Sequence, residues 1–158
     1  MTVTAHIAKH IREVHFGVNW TWSNLKDNLK DVTWQQAVTK VHDLNTIALL
    51  VYHIHYYVET IIKVLEGKPL EAHDQYSFNC PPVTSAEDWD QLVHRTLEDG
   101  SRLAELVAQL PDAVLSETFV AEKYGSYYRN LHGVVEHMHY HLGQIALIKK
   151  LIVAQKSA

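Results

Sequence analysis

From Ser126 onward, apolar residues recur at Leu131, Val134, Met138, Ile145, Ile148 and Ile152, in steps of three, four and seven. Such steps keep one face apolar on a helix of about 3.6 residues per turn, whereas a half-buried strand needs steps of about two. The member missing from the series is position 141, where a histidine stands. A chain patterned this way buries itself by laying amphipathic helices against one another.

Three more stretches carry helical signals. Ile7, Ile11, Val14, Val18, Trp22, Leu25 and Leu29 form one stripe, which predicts a first helix of about six turns, with room for a bend at Gly17 because glycine costs about 1 kcal/mol relative to alanine. Thr33 with Gln36 matches a capping box, opening a second helical region that runs to about Glu66 and stops at Gly67, Lys68 and Pro69. Asn45 or Thr46 can cap a fresh helix inside that region, so its continuity stays open. Residues 67–84 hold Pro69, Pro81 and Pro82 and lose helical periodicity, which predicts a long crossover loop. Ser85 followed by Asp88 starts a third helix, with Trp89, Leu92, Val93, Leu97, Leu103, Leu106, Val107 and Leu110 inward and Pro111 as its stop. Residues 112–125 read as irregular, with a short turn of helix and an extended piece through Phe119 and Val120. The expected fold is an all-α four-helix bundle, one domain over residues 1–158, with the long crossover between helices two and three.

Composition narrows the function classes. The formal charge of −4 leaves no basic footprint for nucleic acid and no polybasic patch for lipid. No run approaches the roughly 20 consecutive apolar residues of a membrane span, and the opening MTVTAHIAKHIREV carries both charge signs rather than the apolar core of a signal peptide. With Cys80 as the single cysteine, no internal disulfide is available, so the expectation is a cytoplasmic protein. Cys80 has no adjacent base and is not a candidate nucleophile. Trp20, Trp22, Trp34 and Trp89 read as core or dimer contacts.

Histidine is the unusual count, at 12 in 158 residues, with four between His132 and His141. On a helical wheel His141 falls about 40° from His137, with Gln144 at about −20° and Gly133 at about −40°. His132 and His139 fall at roughly 200–220°, beside Lys150, and so point to water. Two imidazoles at i and i+4 can share one metal ion. The other reading is a pair of half-buried histidines bonded to backbone or tyrosine. A firm site needs a third ligand from a facing helix, and the second helix offers His53 and His55. His53 lies about 80° from the apolar face of Leu50, Ile54 and Ile61, and His55 about 120° on the other side. His53 is preferred because Tyr57 and Thr60 share its side, with His55 kept as the alternative. His6, His10, His15, His42, His73 and His94 read as surface or rim histidines.

The run Glu136-His137-Met138-His139-Tyr140-His141-Leu142-Gly143-Gln144-Ile145 resembles the final-helix signature of the DinB-like (YfiT-type) superfamily, an H-x-x-x-H pair followed by Gly-Gln-hydrophobic. Leu50-Val51-Tyr52-His53-Ile54 looks like that family's other landmark, and the helix order matches along essentially the whole chain. The resemblance implies a four-helix bundle with a metal site on His53, His137 and His141. It also implies either a metal-dependent hydrolase or a thiol S-transferase acting on a small molecule, or a metal-binding bundle without turnover, commonly as a homodimer. Tyr140 departs from the common version, which has a histidine there.

Three neutral imidazoles leave a divalent transition ion, zinc or nickel foremost, with an open position. Water bound at such a position can reach a pKa of about 7, and a thiol can be held as thiolate. Glu136 lies about 100° round the helix from His137 and reads as a supporting or structural carboxylate rather than a base. Arg129 is a candidate contact for acidic groups, with a surface arginine as the plain reading. Tyr124, Tyr127, Tyr128 and Tyr140 crowd the same helix and can line a pocket.

Overall fold

The computed structural model describes residues 1–156, and the last two residues of the expected domain lie outside the described part. The described chain is all-α, with six α-helices and no strand: α1 (Val3–Phe16), α2 (Leu25–Leu29), α3 (Trp34–Ala37), α4 (Ile47–Leu65), α5 (Ala86–Gln109) and α6 (Tyr127–Lys156). Short 3-10 turns occupy Asp74–Phe78, Asp112–Ser116 and Glu122–Tyr124. Of the four long helices, α1 and α4 each pack against both α5 and α6. Their inward faces form one contiguous core in which Ile11, Leu50, Ile54, Leu103, Leu131, Met138 and Ile145 are all buried. Burial of such a side chain contributes about 1.5–3 kcal/mol.

Side-chain caps set the helix starts. Thr33 and Gln36 form the capping box, and the open choice between Asn45 and Thr46 falls to Thr46, whose hydroxyl accepts from the Leu49 amide at 3.2 Å. The Ser85 hydroxyl accepts from the Asp88 amide at 3.1 Å. At the end of α4, Gly67 takes φ 81°, and the Lys68 amide reaches back to the Lys63 carbonyl while that of Gly67 reaches Val64. These two bonds form a Schellman stop, which needs a residue tolerant of positive φ. A carboxylate distant in sequence secures α1: Asp112 accepts from the Val3 amide at 3.0 Å and the Thr4 amide at 2.9 Å.

The first helix is shorter than its stripe. It ends at Phe16, and a loop carries residues 17–24 before α2 begins. Asn19 organises that loop, donating to the Glu13 and Ser23 carbonyls and accepting from the Thr21 amide, so polar side-chain bonds replace helical ones. Trp22 sits at φ 54°. Trp20 and Trp22, expected in the core or in a dimer contact, are not in the core: they are 99% and 83% exposed. Trp89 is buried as expected, with its indole N–H donating to the Val32 carbonyl at 2.8 Å.

His15 is a second correction. Expected at the surface, it is 0% exposed. A Cβ on Gly100 of α5 would lie 2.2 Å from the His15 ring, so the missing side chain there is what admits the imidazole between α1 and α5. His139, expected in water, is half covered, and burial together with His10 of α1 lowers its pKa.

By length and hydropathy alone α4 is able to cross a bilayer. Its buried face packs on α5 and α6, and it carries His53, His55, Glu59 and Lys63, as a core helix does.

Candidate metal centre

Three imidazoles meet inside the helices. His53 comes from the middle of α4, and His137 and His141 stand one turn apart on α6. The Nε2 of His137 lies 3.0 Å from Nε2 of His53 and 3.0 Å from Nε2 of His141. The ligand atoms of all three fall within 4.8 Å of one another. His55, the alternative third ligand, turns to α5 and meets Asp99 at 2.8 Å.

The partners of the outer nitrogens fix two of the ring tautomers. Ser77 gives its one hydroxyl hydrogen to the Asp74 carbonyl at 2.6 Å, so its oxygen accepts from Nδ1 of His53 at 2.8 Å. Gln144 presents Oε1 to Nδ1 of His141 at 2.7 Å, and a carbonyl oxygen only accepts. Both rings therefore hold their hydrogen on Nδ1 and aim a bare Nε2 lone pair at His137. A neutral His137 has one N–H. On Nε2 it answers only one of the two lone pairs. On Nδ1 it leaves three lone pairs facing one another. The Nδ1 of His137 is buried without a partner in either arrangement. A buried polar cluster of this kind costs several kcal/mol unless something electron-poor sits at its centre.

The electrostatics keep two of the rings neutral at ordinary pH. Burial, then His141 and His53, pushes the His137 pKa down to about 4. Burial, then His141, lowers that of His53, with Asp74 and Ser77 acting in the opposite direction. Neutral imidazole is the form that coordinates a metal. Two nitrogens bound to one tetrahedral zinc stand about 3.3–3.4 Å apart. The two separations from His137, at 3.0 Å, are a few tenths shorter, and the His53–His141 pair lies within 4.8 Å, so small ring rotations are enough to bring the three to that spacing. The donor set fits a divalent transition ion.

Aromatic rings wall the triad. Phe78 lies 4.4 Å from His53 between centroids, Tyr57 meets His137 edge-on at 4.9 Å, and Tyr140 meets His141 edge-on at 4.9 Å. Beside it opens a cavity of about 470 Å³, lined by Tyr57, Asp74, Arg129, Asn130, Gly133 and His137 among others. The Tyr57 hydroxyl donates to Asp74 Oδ1 at 2.6 Å. Burial, then that bond, pushes the phenol up to about 12, so it stays protonated.

Glu136 does not enter the site. It is exposed and pairs with His132 at 3.3 Å. The carboxylate at the cavity belongs to Asp74, and Ser77 orients His53. Both lie in the connection between α4 and α5, where the lost periodicity gave no face to assign. Gln144 was on the wheel beside the histidines, and its orienting bond explains that position.

A model of the DinB superfamily matches residues 18–145. No curated protein and no solved structure matches the chain.

Proposed function

Since this chain belongs to the DinB superfamily, we propose that it is a four-helix bundle, with residues 66–85 as the crossover, that binds one divalent transition ion on His53, His137 and His141 and hydrolyses a small molecule. The convergence of three Nε2 atoms, two with lone pairs set by Ser77 and Gln144, carries the reading. Zinc and nickel are the foremost candidates, since both accept imidazole.

A bound ion supplies Lewis acidity toward a carbonyl or phosphoryl oxygen. The chain's own residues supply the rest. Ser77 and Gln144 hold two rings in the tautomer that coordinates. Tyr57 occupies Oδ1 of Asp74, and among the described residues Oδ2 has no hydrogen-bond partner, so Asp74, which lines the cavity, is the carboxylate placed to accept a proton there. Phe78 and Tyr57 pack against the rings of His53 and His137 and hold them in place. The homodimer common in the family belongs to the same reading, supported by exposed Val18, Trp20 and Trp22.

The test uses zinc-loaded or nickel-loaded protein against a panel of activated esters, amides and lactams. We expect turnover that falls at least about a hundredfold in Asp74→Asn, with metal content unchanged. Stoichiometric metal without turnover on any of them would overturn the hydrolase reading and leave a metal-binding bundle.

A further inference from the structure

Gly133 stands inside α6 without a local reason to be glycine. It is not among the positive-φ residues, and a Cβ built on it meets nothing within 4 Å. Glycine is among the poorest residues for a helix interior, yet neither the backbone nor the packing demands it here. What its missing side chain leaves is open volume in the cavity one turn from His137.

Arg129 lies one turn further toward the N-terminus of α6 and lines the same cavity. Arg129, Gly133, His137 and His141 thus follow one another at four-residue steps. The Cα atoms of Arg129 and His137 stand about 12 Å apart along the helix axis. The arginine stem folds back over Gly125: a Cβ there would sit 3.0 Å from Cδ of Arg129, and Gly125 has φ 74°. Arg129 is exposed, and among the described residues its guanidinium makes no ion pair, as is also true of Arg95, whereas those of Arg12 and Arg102 face Glu105 and Glu66. A planar fork of N–H donors at one end of a cavity is matched by a carboxylate.

Resting on the metal-site reading above, we propose that the cavity takes an elongated small molecule whose carboxylate end is held by Arg129 while its reacting end lies at the histidine triad. Gly133 leaves the width through which the connecting chain passes.

The experiment titrates cobalt(II)-loaded protein with monohydroxamates of the linear dicarboxylic acids from succinic to suberic, and with alkyl hydroxamates of equal length, reading the visible cobalt spectrum. At one or more chain lengths the carboxylate compound binds about tenfold tighter than its uncharged counterpart. Arg129→Gln erases that preference, and Arg129→Lys retains part of it. Gly133→Leu weakens both series with cobalt stoichiometry unchanged, and Gly133→Ala weakens them less. Cobalt bound with no charge preference at any length, or a preference that survives in Arg129→Gln, overturns the carboxylate subsite alone. Absence of stoichiometric cobalt in the wild-type protein overturns the triad reading, and this assignment with it.

Discussion

Two buried places hold histidine, and they solve the same problem differently. His15 lies between α1 and α5 with Nδ1 donating to the Ile11 carbonyl at 2.7 Å and Nε2 buried without a partner. His137 is half-buried, also with one ring nitrogen unpartnered. Burial first of all pushes both pKa values down to about 4. Around His15, however, the neighbour that decides its place is a glycine, and the ring serves as a wedge between helices. Around His137 stand two further imidazoles with oriented lone pairs, and a cavity opens beside them. A depressed histidine pKa thus marks burial; only convergence of several donors marks a site.

The largest effect that separates the two is metal content. His137→Ala lowers metal affinity by more than about a hundredfold, since two imidazoles remain where the site needs three protein ligands. His15→Leu leaves affinity unchanged, and titration with a competing chelator measures both. Equal losses in the two variants would dissolve the comparison.

Acid stability comes next. The native His15 ring refuses a proton that the unfolded chain takes up at its ordinary pKa of about 6.5. With a folded pKa near 4, stability is complete above 6.5 and falls as pH drops from 6.5 toward 4, by roughly 3 kcal/mol. Urea melts at pH 7, 6 and 5 should show a shallower decline in His15→Leu. Parallel declines would mean that His15 is not held neutral.

Gly100→Ala forces a methyl into the His15 ring and is expected to destabilise by about 2–3 kcal/mol, the upper part of the overpacking range. Thermal melts of Gly100→Ala alone and combined with His15→Ala check it, because the second change should recover much of the loss. Metal affinity should stay unchanged.

Smaller still are the orienting residues. Ser77→Ala and Gln144→Ala each remove the bond that sets a ring tautomer, and each should cost roughly tenfold to a hundredfold in metal affinity. A chelator titration that finds no change in either would sever the tautomer network from metal binding.

The same contrast explains what the amino-acid pattern could reveal. The last helix was legible because His141 interrupts an otherwise regular apolar series, and the wheel put Gln144 and Gly133 beside it. His53 was separable from His55 by a side-of-helix inference that the Asp99 contact supports. Asp74 and Ser77 were not legible, because a 3-10 turn inside a long connection has no periodicity to assign a face. His15 was misread because its burial depends on Gly100, a residue on another helix. The overlong first helix failed for a similar reason: the stripe through Val18 and Trp22 keeps helical spacing, while Asn19 binds the backbone of a loop.

The most direct measurement is X-ray absorption on zinc-loaded or nickel-loaded protein without an affinity tag, paired with the His53→Ala and His55→Ala variants. Three imidazole nitrogens around one ion per chain, reduced to two in His53→Ala and unchanged in His55→Ala, is the result this account predicts. An ion with fewer than three imidazoles in the unaltered protein, or a spectrum indifferent to His53, would contradict it.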